Sequence, residues 1–385
     1  MTKVSDIQLY HDSLVSLHTQ IHSQLRHLIM SGHWLNGSRI PSETQLTTHL
    51  RVSRSTVRLA LQQVELEGLI ERIPGKGTYV SYSPVQGNQK QLIAFVTSDL
   101  EDPKAIELLN GAESEIRASA YRMMFSNTKT HSEEMEVLTR LQEENVAGVL
   151  VWPNSDYGAA LDQHINNYRS LRMPIVFLDR NVPGVECDCV TSDNYGGAAT
   201  LVQHLVELGH QRIVYLSHPR TEIMTVAARY RAYQNVMQNA GLTPQAPWII
   251  GRDGRELQGN TTLTHSINHE SSEFQDVMNC ILKAPQRPTA IIAVNDYIAI
   301  LALRVMKHLN IHVPSEISIT GFDDIELAAH LDVPLTTIAQ DPFLLGKRAA
   351  QRLIERIDGF SDKPCLDIIP TQLRLRSSTS MPIRV

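Results

Sequence analysis

The stretch "RIPSETQLTTHLRVSRSTVRLAL", Arg39 to Leu61, sets four arginines among hydroxyl side chains and one glutamate, with Leu46, Leu50, Val57 and Leu61 recurring at helical spacing. Ser42 followed three residues later by Gln45 predicts a capping box that opens one helix. Ser53 predicts the start of another after the short turn "RVS". Two helices so joined make a helix-turn-helix, whose second member presents its N-terminal residues to base edges. Arg54 and Arg58 are i and i+4 and share a face, while Val57, Ala60, Leu61 and Val64 form the buried side. An arginine fork grips phosphate or the two acceptors of guanine. Hydroxyls and helix-start amides suit phosphates. On these residues alone the alternative stays open: a solvated arginine face on a structural bundle.

Working outward, Leu17, Ile21, Leu25 and Leu28 predict a first helix that stops at Gly32. After Gly68, "LIERIPGKGTYVSY" predicts a hairpin with a basic tip, Gly75-Lys76-Gly77, where glycine permits close approach to a backbone. Residues 1–80 carry eight Lys/Arg against six Asp/Glu, which leaves +2; the whole chain is -6, so the remainder is -8. That sign suits a nucleic-acid-binding head on an acidic body. The polar segment Ser81–Gln91 reads as a linker.

From Leu92 onward, near-continuous apolar runs ("LIAFVTS", "YRMMFS", "VAGVLVW", "PIVFLD", "RIVYLS", "TAIIAVND", "ISITGFDD") alternate with amphipathic stretches. This predicts an α/β body of parallel strands covered on both faces. Ligands of such sheets bind beyond the strand ends, which here carry Ser98, Trp152, Asp179, Asp296 and Asp323. Gly259–Ser272 is polar and patternless, a surface loop. The expected organisation is a helix-turn-helix head with its hairpin at 1–80, a linker at 81–91 and an α/β body at 92–385.

Other classes find little support. No apolar run reaches the length of a membrane span, and the N-terminus shows no secretion signal, so a cytoplasmic location is expected. The four cysteines form no CxxC pair, and His204 and His210, at i and i+6, share no helical face. No metal or cofactor is therefore expected. A Gly-rich phosphate loop and a GxSxG elbow are absent. Asp323-Asp324 reads as a cap or salt bridge at a strand end, and the chain as a non-enzyme.

Residues Ser16–Val80 resemble the winged-helix head of the GntR regulators, through "PSE", "VSRSTVR-AL", "EGLI" and "GKGTYV" in the same order and spacing. The resemblance implies that Glu43, Arg54, Thr56, Arg58, Gly75, Lys76 and Gly77 face DNA. It makes Ser42 and Ser53 phosphate contacts or caps, with capping placed ahead. Thr44 stands where the family usually has arginine. Residues 91–380 resemble the effector domain of LacI-type repressors, which share the type I periplasmic binding protein fold, through "PIVFLDR", "SDNYGGA", "AVNDYIAI" and "VPSEISITGFDDIELAAHLDVPLTTIAQD". That implies two lobes, about 91–191 with 339–370 and 192–338 with the C-terminal tail, closing on a small molecule.

The matching positions imply effector contacts at Asp179, Arg229, Asp296 and Gln340, with Arg231 as an alternative donor to Arg229. Carboxylates accept paired hydroxyls and arginine donates in a fixed fork, so the set suits a sugar. Trp152 offers a stacking face, or else packs in the core. Lys104 stands at a rim where the family has an Asn-Pro-aromatic segment. A GntR-like head on a LacI-like body resembles the arabinose-responsive repressors. This implies a homodimeric repressor on double-stranded operator DNA, controlled by L-arabinose or another pentose, with hexose, sugar phosphate or purine as the alternative.

Overall fold

The computed structural model describes residues 2, 6–9, 15–82, 91–98, 100, 102–155, 161–250, 272–360 and 362–383. Most of the expected linker and nearly all of the loop read at Gly259–Ser272 lie outside them.

The head is three helices and a hairpin. Helix Leu17–Met30 buries Ile21, Leu25 and Ile29, so the buried stripe ends on Ile29 where the sequence pattern pointed to Leu28. Helix Glu43–Leu50 opens on the capping box: Ser42 Oγ accepts from Gln45 N while Gln45 reaches back to Ser42 N. Helix Arg54–Leu66 is capped by Ser53, which accepts from Thr56 N, and buries Val57, Ala60, Leu61 and Val64. Strands Ile70–Ile73 and Gly77–Val80 pair antiparallel. These faces enclose one core around Trp34, Leu46 and Leu61.

The body holds two parallel sheets. One runs in the order Leu366–Ile369, Asp188–Ser192, Ile175–Leu178, Gly148–Trp152, Leu92–Thr97, Arg122–Asn127. The other runs Ser318–Thr320, Ala290–Ala293, Ile213–Ser217, Trp248–Ile249. Each sheet has its own apolar core. The chain passes between the sheets after Ser192, after Ala339 and after Ile369, and the last passage adds Gln372–Arg374 antiparallel to Thr337–Ala339. The tail then locks onto the second sheet, where Ser378 Oγ donates to Ile319 O and accepts from Thr336 N.

Two helices of the first lobe, Lys104–Arg117 and Pro342–Ile357, cross at paired glycines. A Cβ at Gly111 would lie 1.9 Å from Phe343 O, and one at Gly346 would lie 1.9 Å from Leu108 O. Glycine inside a helix costs up to about 1 kcal/mol against alanine, and here the close approach of two backbones demands it. The head meets this lobe where the helix pair ends. Ser23 Oγ lies 2.7 Å from where a Gly359 Cβ would stand. Tyr121 donates to Asp358 Oδ1 and also bonds Arg26, and burial pushes its phenol up to about 12.

Gly346→Ala should lower stability by about 1–3 kcal/mol through overpacking, against the gain that helix propensity alone dictates. Urea denaturation followed by circular dichroism reads the sign, and a stabilised variant would contradict the close crossing.

Candidate functional site

In the head, Arg54 and Arg58 are exposed at the start of helix Arg54–Leu66. Glu43 lies 3.8 Å from Arg58 and 3.3 Å from Arg72 of the hairpin, so it ties the recognition helix to the wing. Ser42 and Ser53 serve as caps. The Ser53 hydroxyl lies 2.7 Å from both Ser55 Oγ and Thr56 Oγ1, which fixes Thr56 against the cap. At the wing tip Gly75 and Gly77 take φ of 77° and 118°. A Cβ on Gly77 would meet the Arg39 guanidinium at 2.8 Å. Arg39 therefore lies along the wing, where it also makes a β-bridge to Tyr79.

In the body, the second site sits where the two sheets' strand ends face each other. Asp179 ends strand Ile175–Leu178 with φ of 64° and is 4% exposed. Lys104 lies 3.8 Å from both Asp102 and Asp323. Arg229 of helix Met224–Asn239 has every guanidinium nitrogen engaged. Its Nε donates to Asn194 Oδ1 at 2.8 Å and its Nη1 to Val294 O at 2.8 Å, while Nη2 lies 3.6 Å from Asp323, and the plane stacks 3.6 Å from the Phe322 ring centroid. Arg231 is exposed. Gln340, at the second passage between sheets, donates from Nε2 to Asp323 Oδ1.

Asp323 is thus the residue these groups share, although the sequence reading left it as a strand-end salt bridge. It does form salt bridges, as does Asp324 with Arg374 and Arg376. The missed signal was its φ of 121°, outside the range most side chains adopt and not visible in composition. Arg180, 3.2 Å from Asp179, was missed as well.

Trp152 is wholly buried in the first lobe's core. Arg180 and Lys104 lie over its ring, 5.3 and 5.7 Å from the centroid. The face read as a sugar platform is therefore shared with two cations. Its indole N–H has no protein partner among the described residues.

Burial raises Asp323, with Lys104 and Arg229 opposing it. For Lys104, burial acts downward but is outweighed by Asp102, Asp323 and Asp179, so the ammonium stays charged. Burial acts upward on Asp179, and Lys104, Arg180 and Arg229 overcome it and hold the carboxylate ionised. Asp296 behaves differently. Burial, then the neighbouring Asp323, lifts it to about 7. It accepts from Thr337 Oγ1 and, at 3.0 Å, from Ile325 N. Asp296 therefore braces the loop carrying Asp323.

A winged helix-turn-helix joined to a two-lobed body with a buried, hydrogen-bonding cleft defines a ligand-controlled, DNA-binding transcriptional regulator. Residues 17–80 match the bacterial regulatory proteins of the gntR family, and residues 202–379 match the periplasmic binding protein-like domain. The chain is 30% identical to an arabinose metabolism transcriptional repressor of Geobacillus stearothermophilus, over 94% of this chain and 96% of that one. It is 27% identical to a protein of the same description from Halalkalibacterium halodurans, over the same shares. A putative ribose operon repressor from Burkholderia thailandensis superposes with a TM-score of 0.61 at 25% identity, covering 74% of this chain and 99% of that one. The chain belongs to the transcriptional repressors that join a GntR-type head to a LacI-type body. These relatives are regulators, in agreement with the non-enzyme reading. No helix among the described residues is long and apolar enough to cross a membrane.

Asp296 takes up its proton near 3.8 when exposed and near 7 when folded. Its contribution is full below the lower value and is lost as pH rises through the upper one. The apparent Tm of the protein should fall between about pH 4 and about pH 7, and that of Asp296→Asn should fall less. Superimposable pH profiles would contradict the assignment.

Proposed function

We propose that a homodimer of this chain represses transcription from a pseudo-palindromic operator and that a pentose, with L-arabinose first, controls its affinity for DNA. The observation that carries the effector reading is the pairing of charges in the cleft. Arg180 stands against Asp179, Lys104 against Asp102, and Arg229 against Asp323. A neutral polyhydroxyl ligand can bridge such pairs through its donors and acceptors without disturbing the charge balance. A sugar phosphate would need cations not already matched. Two relatives described as arabinose metabolism repressors, aligned over nearly the whole chain, support the pentose.

For DNA, Arg54, Thr56 and Arg58 are the reading residues, and Gly75, Lys76 and Gly77 bring the wing to the backbone. Exposed apolar side chains at Ile106, Phe343, Leu344 and Ile368 lie on the first lobe's helix pair and edge strand and support self-association there. The sugar acts by binding one arrangement of the lobes better than the other.

Arg54→Ala and Arg58→Ala should each weaken specific operator binding by about 1–3 kcal/mol in a gel-shift titration and leave sugar binding unchanged. Wild-type affinity in both would remove the recognition helix from the reading. In a thermal-shift screen of pentoses, hexoses, purines and sugar phosphates, a pentose should raise the melting temperature most. A response confined to another class would replace the pentose.

A further inference from the structure

Three ligand-type side chains converge inside the first lobe. His131 and Glu134 are i and i+3 on helix His131–Glu143, and His164 comes from helix Leu161–Ser170. Their donor atoms all lie within 4.8 Å of one another. Glu134 and His164 are wholly buried. The two imidazoles meet edge to face.

The surroundings have the form of a supported ligand set. Glu134 Oε1 accepts from the Tyr168 hydroxyl at 2.8 Å, and Oε2 accepts from Asn154 N at 2.8 Å. Each carboxylate oxygen is thereby oriented, as the carboxylates of metal sites are. Tyr168 also packs edge-on against His164 at 4.9 Å and against Phe177 at 5.2 Å. The ion pair from Glu134 to His164 is long, at 3.8 Å. A divalent ion between this carboxylate and the two imidazoles would place an opposite charge at close range.

We propose that His131, Glu134 and His164 form a binding site for a zinc-class divalent transition metal. Two imidazole nitrogens and one carboxylate oxygen suit zinc, with a fourth position left for another ligand. Magnesium and calcium prefer oxygen ligands throughout. The site joins the two helices through side chains and, through Glu134, holds Asn154 at the end of the strand that carries Trp152. The next residue, Ser155, accepts from Arg220 Nη1 at 3.3 Å, a contact that crosses from one lobe to the other. A bound ion would therefore stiffen a segment that both lobes touch.

The test uses the full chain freed of metal by chelation and dialysed against zinc chloride, with metal content and calorimetric titration as readouts. The wild type should retain one zinc per chain, and its melting temperature should rise with zinc. His131→Ala and His164→Gln should lose the ion, and cobalt(II) should give visible d–d absorption in the wild type alone. His131 is only partly buried, so His131→Ala remains readable if His164→Gln fails to fold. Zinc retained equally by His131→Ala and the wild type, or no zinc retained by the wild type, overturns the proposal. Equal uptake of magnesium would overturn the assignment to a zinc-class ion.

Discussion

Asp323 is a carboxylate enclosed between two lobes, and much of the body is arranged to make that position tolerable. Burying an unpaired charge costs several kcal/mol, so Lys104 reaches it from one lobe, Arg229 from the other and Gln340 from the passage between them. Arg229 is itself held by Asn194 and the Val294 carbonyl. The ion pairs around one side chain thus connect elements far apart in sequence. A change in how the lobes meet must rearrange this set, so a ligand that offers substitute hydrogen bonds there acts directly on the balance between lobe arrangements.

Neighbouring carboxylates in this cleft behave differently for stated reasons. Asp179 has Lys104, Arg180 and Arg229 around it and remains an acceptor, while Asp296 meets neutral donors and another acid and rises to about 7. Asp296 was read in the sequence as an effector contact. In the structure its two oxygens hold Thr337 and Ile325, the flanks of the Asp323 segment. Asp296 thus positions those two residues.

The legible part of the fold was the part written in local chemistry. The capping box at Ser42–Gln45, the cap at Ser53 and the alternation of apolar runs with amphipathic helices follow from hydrogen-bonding groups and periodicity within a few residues. All seven quoted apolar runs became strands. The strands left unread are short or mixed in character. Leu366–Ile369 lies at a sheet edge with alternating exposure, and Thr337–Ala339 is a three-residue strand that pairs with the returning tail and bridges Asp323. Asp323 was passed over because its importance depends on Lys104 and Arg229, more than 200 and 90 residues away in sequence, and no local pattern encodes that. Likewise, two histidines on separate helices carry no spacing signal, so His131 and His164 were invisible as a pair.

The helix pair joined at Gly111 and Gly346 gives the cleft a rigid route to the head. Both helices begin at the cleft: Lys104 opens one, and Pro342, two residues past Gln340, opens the other. Sixteen residues of helix span about 24 Å, and at the far end stand Tyr121, Asp358 and Gly359, against Arg26 and Ser23 of the head's first helix. Backbone-to-backbone packing at paired glycines leaves little room for the helices to slide independently. A displacement of Lys104 or Gln340 would then shift the two helices together. The sequence reading placed only the linker Ser81–Gln91 between head and body. The direct contact between head and lobe provides a second connection, and its stiffness comes from two residues that have no side chain.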